Sequence, residues 1–132
     1  MKKLILTLLV LFILFWDLAW QIAGVQQLFP WQLQSLLRSD EVGLVLADVR
    51  FPVEFKWRHI PGARNLPDLM LHPELLDDLP PDQPVVVICL TGHRSQIAAW
   101  RLQHRGHTRV FNLTWGMAGW ILSDGPVVSG AP

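Results

Sequence analysis

Val85-Val86-Val87-Ile88-Cys89-Leu90-Thr91-Gly92-His93-Arg94-Ser95 reads as a buried strand that stops at a cysteine, followed by a short loop around one glycine and the start of a helix. A run of β-branched residues with no alternation belongs inside a sheet covered on both faces. The helix predicted over Arg94 to His104 ends at Gly106 and offers Ile97, Ala98, Leu102 and one edge of Trp100 for packing.

Working outward, Leu44 to Val49 is a second apolar strand and Val110 to Leu113 a third. Helices are expected over Leu28 to Arg38, with Pro30 in the first turn and Leu33, Leu36 and Leu37 on one face, and over Gly116 to Leu122. Pro52 to Trp57 makes a short helix with Val53 inward, Ile60 to Ala63 a turn, and Arg64 to Leu66 a short strand. Leu69 to Leu79 holds one or two brief helices, and the residues after Asp124 form a loose tail. Strands alternating with helices give an α/β fold with a mostly parallel central sheet and helices on both faces. Ligands of such sheets bind beyond the carboxyl ends of the strands, where Cys89 stands.

The first 25 residues are of another kind. Lys2 and Lys3 precede an unbroken uncharged run, Leu4 to Trp16, which predicts an N-terminal hydrophobic helix. Read through to Val25, it is long enough to anchor the chain in a bilayer, with Trp16 and Trp20 at the far interface and Asp17 among headgroups. No Ala-x-Ala cleavage pattern is present, which favours an uncleaved anchor; the strictly apolar core is short, which suits a cleaved secretory signal. The two lysines keep the N-terminus cytoplasmic, so in a bacterium the domain faces the periplasm, either held at the inner membrane or released after cleavage. The expected organisation is a signal-anchor or signal peptide over 1–25, one globular domain over 26–124 and a tail over 125–132.

Formal net charge is zero, and no aromatic-plus-basic motif speaks for nucleic acid. All the acids between Asp40 and Asp124 lie at or before Asp82, whereas Arg94, Arg101, Arg105 and Arg109 fall after it. Those arginines make either a solvated helix face or a positive surface for a small anion. Cys89 is the one cysteine, so neither an internal disulfide nor a cysteine-based zinc site is available. His104 and His107 are separated by the helix-ending Gly106, which speaks against a metal site. No metal or cofactor is expected. His59 reads as a hydrogen-bonded turn residue, and Trp100, Trp115 and Trp120 as core.

The loop itself predicts chemistry. Successive amides at a strand–loop–helix junction, with the helix dipole behind them, stabilise an anion, and a cysteine sulfur held there is the better nucleophile as thiolate. Arg94 adds a full charge nearby, and Thr91 and Ser95 offer hydroxyls to a substrate or to the loop.

Cys89-Leu90-Thr91-Gly92-His93-Arg94-Ser95 after a valine-rich strand resembles the active-site loop of single-domain rhodaneses. Asp48-Val49-Arg50, Glu54-Phe55, His59-Ile60-Pro61-Gly62-Ala63 and Asn65-Leu66-Pro67 resemble the family's upstream motif, and Gly116-Met117-Ala118-Gly119-Trp120 its closing one. The similarity covers about residues 28 to 124, with one departure: Arg58 stands where the family usually has glycine before the His-Ile-Pro-Gly-Ala stretch.

This resemblance implies a rhodanese-like fold and a sulfurtransferase. Cys89 takes sulfane sulfur from thiosulfate or a related small anionic donor as a persulfide. A thiol, a cyanide-like nucleophile or a protein then accepts it in a ping-pong cycle. The persulfide-binding loop is Leu90, Thr91, Gly92, His93, Arg94 and Ser95, with Asp48 and Arg50 as supporting residues or as a plain ion pair. His93 is a poor general base, because a thiolate cradled by amides hardly needs one. The Cys-x4-Arg spacing goes with sulfur in this family, whereas the phosphatase relatives have Cys-x5-Arg. The alternative function is a rhodanese-fold interaction module without turnover. An extracytoplasmic thiolate also implies a reducing partner.

Overall fold

The computed structural model describes residues 1–132. Five strands form one wholly parallel sheet: β1 (Gln26–Leu28), β2 (Val45–Asp48), β3 (Arg64–Asn65), β4 (Val85–Ile88) and β5 (Val110–Leu113). Their spatial order is β1-β5-β4-β2-β3, so β4 lies at the centre and its residues are completely buried. The helices are α1 (Lys2–Ile22), α2 (Pro30–Arg38), α3 (Pro52–Trp57), α4 (Ser95–His104) and α5 (Gly116–Leu122), with one 3₁₀ turn at Pro73–Leu76.

Side chains alternate across the sheet. Val85, Val87 and Cys89 join Ala98, Ala99, Leu102, Leu69 and Leu76 on one side. Val86 and Ile88 join Leu33, Leu113, Met117 and Trp120 on the other. The sheet is covered on both faces, as its uniformly apolar strands require.

α2 and α3 start alike. Each opens with Phe-Pro, the proline at the first helical position, and a side chain two residues after the proline reaching back to the phenylalanine N–H: Gln32 Oε1 at 2.8 Å from Phe29 N and Glu54 Oε2 at 3.0 Å from Phe51 N. Both phenylalanines stand where strands β1 and β2 end, on the same face as Cys89.

Several expectations change. Gln26–Leu28 forms an edge strand, which its two glutamines hid from pattern reading. In α3 the buried side chain is Phe55, 1 % exposed, whereas Val53 is 75 % exposed. One short helix buries one face, and the ring, stacked on His59 with centroids 3.7 Å apart, removes more apolar area from water than a valine does. In α4, Ala98, Ala99 and Leu102 face the sheet, and Ile97 is half-buried. Of the three tryptophans expected in the core, Trp120 is fully buried and donates from Nε1 to Pro126 O at 2.8 Å. Trp100 is half-buried, and Trp115 is exposed because its left-handed backbone (φ 63°) turns the ring outward.

The tail is not loose. Val128 pairs antiparallel with His59, Gly130 N donates to Lys56 O at 2.9 Å, and Ser129 Oγ donates to Trp57 O at 2.7 Å. Backbone groups left open by the short α3 are thereby satisfied. Nor does the first segment stand apart. Residues 2–15 of α1 are exposed, but from Trp16 onward the helix lies on α4: Trp20 packs edge-on against Trp100, and Val25 enters the core. Asp17 is bonded to the domain, at 2.9 Å from Gln96 Nε2.

Candidate active site

The site is built where β4 stops. Cys89 is fully buried, its Sγ accepting from Gly92 N–H at 3.1 Å and lying 3.3 Å from Ser95 Oγ. Gly92 adopts φ +83°, and a Cβ there would lie 2.7 Å from both Leu113 O and Trp115 N, so only glycine fits the turn. Amides from the start of α5 hold the loop from behind: Met117 N donates to Cys89 O and Ala118 N to Leu90 O, both at 2.9 Å. The closing glycine-rich segment is a clamp on the cysteine loop. Its Gly116 approaches so closely that a Cβ would sit 2.3 Å from Cys89 O.

Ser95 is fully buried and forms a short hydrogen bond to Asn112 Oδ1. A hydroxyl has one proton, so Ser95 gives it either to Asn112 or to the sulfur. Asn112 in turn donates to Gly92 O at 3.0 Å and to Gln27 Oε1 at 2.9 Å. Gln27 donates to Gln96 Oε1 at 3.0 Å, and Gln96 to Asp17 Oδ1 at 2.9 Å. Thr114 Oγ1 adds a donor to Gln27 at 3.0 Å.

These partners of the loop, Gln27, Gln96, Asn112 and Asp17, were not among the residues expected from the sequence. Asn112 carried a usable signal: a polar side chain inside the apolar run Val110–Leu113 has to find buried partners.

Thr91 Oγ1 and His93 Nδ1 share a hydrogen bond of 2.8 Å, while His93 Nε2 faces Asp17 at 3.7 Å. The His93 ring is thus engaged on the α1 side of the loop. Leu90 is 46 % exposed at the rim. Arg94 immediately precedes α4, with its guanidinium 3.7 Å from Glu54 and over the Phe51 ring at 5.9 Å. Its charge is shared with a carboxylate at the far rim.

The other arginines do not make a positive field here. Arg109 pairs with Glu41 at 2.9 Å, Arg105 with Asp77, and Arg101 donates to Met70 O at 2.6 Å. Two arginines of the second half are thus paired with carboxylates of the acidic first half, and Arg101 is held on backbone carbonyls. Asp77 and Arg105 stabilise each other's charged form through their shared hydrogen bonds, holding the Asp77 carboxyl below its ordinary range and Arg105 above its own.

Asp48 and Arg50 form a buried two-pronged pair, with Nε–Oδ1 at 2.9 Å and NH2–Oδ2 at 2.7 Å. The pair also braces a loop: Arg50 donates to Arg58 O at 2.7 Å and to Glu54 O at 3.4 Å. Asn65 Nδ2 closes the corner on Arg50 O at 2.8 Å. Arg58, the departure from the glycine usual at this place, has φ −155°, an extended conformation open to any residue. Arg58 therefore stands there without backbone strain.

A Rhodanese-like domain family model matches residues 30–123. The chain belongs to the rhodanese-like family. Its rhodanese-like region is 35 % identical over 91 residues to a sulfurtransferase from Allochromatium vinosum, covering 69 % of this chain and 84 % of that protein. It is 36 % identical over 95 residues to the thiosulfate sulfurtransferase GlpE of Ectopseudomonas mendocina, covering 72 % and 84 %. Among solved structures, a thiosulfate sulfurtransferase from Pseudomonas aeruginosa superposes with a TM-score of 0.73 at 27 % identity, over 88 % of this chain and 22 % of that one. A rhodanese-related protein from Thermoplasma volcanium gives 0.66 at 25 %, over 78 % and 97 %. Both curated relatives carry sulfurtransferase names, so at the family level the comparison speaks for sulfur transfer between a donor and an acceptor. α1 and β1 precede the part that the family model matches.

Proposed function

We propose that the protein moves sulfane sulfur from thiosulfate, or a related small anionic donor, to a thiophilic acceptor through a persulfide on Cys89. The observation that carries this is the cysteine sulfur at the end of the central strand, facing a loop N–H at 3.1 Å at the mouth of α4.

In the first step the Cys89 thiolate attacks the outer sulfur of thiosulfate. A new S–S bond forms, the old one breaks, and sulfite leaves with the electron pair. Negative charge now resides on the outer sulfur of the persulfide, where the loop amides and the helix dipole stabilise it. In the second step a thiolate, a cyanide-like nucleophile or a protein cysteine attacks that sulfur and releases the Cys89 thiolate. No net oxidation occurs, and no cofactor is called on.

Ser95 serves the thiolate by turning its proton from Asn112 to sulfur. Arg94, balanced by Glu54, receives the anionic donor at the rim, and Asp48 with Arg50 fixes the neighbouring loop. We further propose that α1 is an uncleaved anchor that holds the domain on the periplasmic side of an inner membrane. The whole helix has the length and composition of a membrane span, with its last turns docked on the domain and the uncharged run Leu4 to Trp16 left as its free part.

The test is intact mass of the full chain in detergent after incubation with thiosulfate, beside Cys89→Ser. A gain of about 32 Da, one sulfur atom, that cyanide removes and the variant lacks is the expected result. No adduct from thiosulfate or from other sulfane donors overturns the reading and leaves a binding module that keeps the fold.

A further inference from the structure

We infer that the face of the domain carrying the Cys89 loop lies against the lipid bilayer surface. The inference rests on the anchor reading of α1, and not on the sulfur chemistry.

The direction of α1 comes first. Its contacts with α4 are in register and parallel: Trp16 with His93, Asp17 with Gln96, and Trp20 with Trp100, while Gly24 O accepts from Gln103. α4 runs from the Cys89 loop down the sheet. The earlier turns of α1 therefore project beyond that loop, on the side where the strands end. The free apolar helix leaves the domain through the face that holds the candidate active site. An open groove of about 410 Å³ lies in the angle, lined by Phe12, Ile13 and Trp16 of α1 and by Thr91 and His93 of the loop.

The length of the helix comes second. Leu4 to Trp16 is the uncharged run, and the helix beyond it is committed to the domain. At 1.5 Å per residue those residues span roughly 20 Å, whereas the hydrocarbon core is about 30 Å thick. A short span is accommodated by thinning the bilayer or by drawing the flanking structure into the interface. The flanking structure here is the loop face. Trp16 marks the depth, since tryptophan favours the headgroup layer, and its Nε1 donates to His93 O at 3.4 Å.

The surface of that face is the third observation. Trp31, Phe51, Leu90 and Trp115, on the segments that follow β1, β2, β4 and β5, are 52 %, 62 %, 46 % and 53 % exposed. Phe29 stacks on Trp31 with centroids 4.7 Å apart, and Trp115 meets Phe29 edge-on and Trp31 at a tilt. Large apolar side chains gathered on one face mark an interaction surface. The emerging helix and its short span identify the partner as lipid.

The test uses the full chain in a Cys89→Ser background, with single cysteines at Trp31→Cys or Leu90→Cys on the loop face. Val42→Cys, 91 % exposed before β2 at the opposite end of the sheet, is the control. Each is labelled with an environment-sensitive fluorophore and reconstituted into vesicles of phosphatidylcholine and phosphatidylglycerol. The expected result is a blue shift and a several-fold loss of iodide quenching at positions 31 and 90 relative to detergent, with quenching by headgroup-depth nitroxide lipids. Position 42 stays open to iodide. If the chain floats with vesicles but all three positions are equally open, the docking is overturned and the anchor stands, leaving the face to a protein partner. If the chain does not float with vesicles, anchor and docking both fail, while sulfur transfer is judged separately by the mass experiment.

Discussion

The carboxylate of Asp17 and the sulfur of Cys89 are the two ends of one unbroken hydrogen-bonded chain that runs through Gln96, Gln27, Asn112 and Ser95. Each of the three amides donates toward Asp17, which leaves Asn112 Oδ1 facing the Ser95 hydroxyl and competing with the sulfur for its one proton. A carboxylate on the apolar helix thus orders a network that ends at the Cys89 sulfur.

Removing that charge frees the network to reverse. Asp17→Asn is expected to speed sulfite release in a single turnover by about two- to fivefold, the worth of one hydrogen bond of roughly 1 kcal/mol. Stopped-flow sulfite detection under excess enzyme reads this step alone. An unchanged rate would mean that Ser95 already donates to sulfur in the native chain.

Arg94 and Glu54 predict opposite changes in substrate affinity. Glu54→Gln keeps the N–H cap on Phe51 but releases Arg94, and the KM for thiosulfate is expected to fall by about threefold, the scale of an exposed ion pair. Arg94→Ala is expected to raise it. Steady-state kinetics on both variants decide the point; equal KM values would remove Arg94 from donor binding.

The Asp48–Arg50 pair is a matter of stability. Asp48→Ala leaves a guanidinium that is only 2 % exposed without its carboxylate, and the expected loss is about 3–5 kcal/mol, seen as a lower denaturant midpoint. Restoring charge balance with Asp48→Ala/Arg50→Met should recover much of it, although the brace on Arg58 O is gone.

Gly116→Ala is expected to disrupt the loop itself, because the added Cβ meets the Cys89 carbonyl, a backbone atom with no freedom to retreat. Sulfur uptake should be lost even where circular dichroism still shows folded protein. Normal uptake would show that the clamp from α5 is dispensable.

The Asp77–Arg105 pair has a pH signature. With the Asp77 carboxyl held below its ordinary range, its contribution is present above that range and fades as pH falls through the lowered value. Arg105→Gln should therefore lower the thermal midpoint modestly near neutral pH, and the difference should close in strong acid. A difference that persists there would mean that the arginine acts through packing instead of charge.

Much of the fold was legible because it rests on local apolar runs. β4 with its loop and α4, β2, β5 and α5 all follow from residues whose pattern allows one reading, and the three motifs located the loop, its bracing corner and its clamp. The failures share a cause. β1, the strap from 125 to 132 and the seat of α1 on α4 are held by partners far along the chain: Gln26 pairs Phe111, His59 pairs Val128, Asp17 bonds Gln96. Each segment is too short or too polar to announce itself. Val53 and Phe55 were separable only once His59 was known to offer a ring to stack on.

The docking of α1 also sets an order of events. A processing enzyme needs an extended, accessible stretch, yet the residues after Trp16 are helical and bonded to the domain they precede, and Val25 is already in its core. Cleavage and folding of this chain are therefore rivals in time. Once Trp20 has found Trp100, removal of the first segment would strip from α4 the contacts made by Trp20 and Asp17.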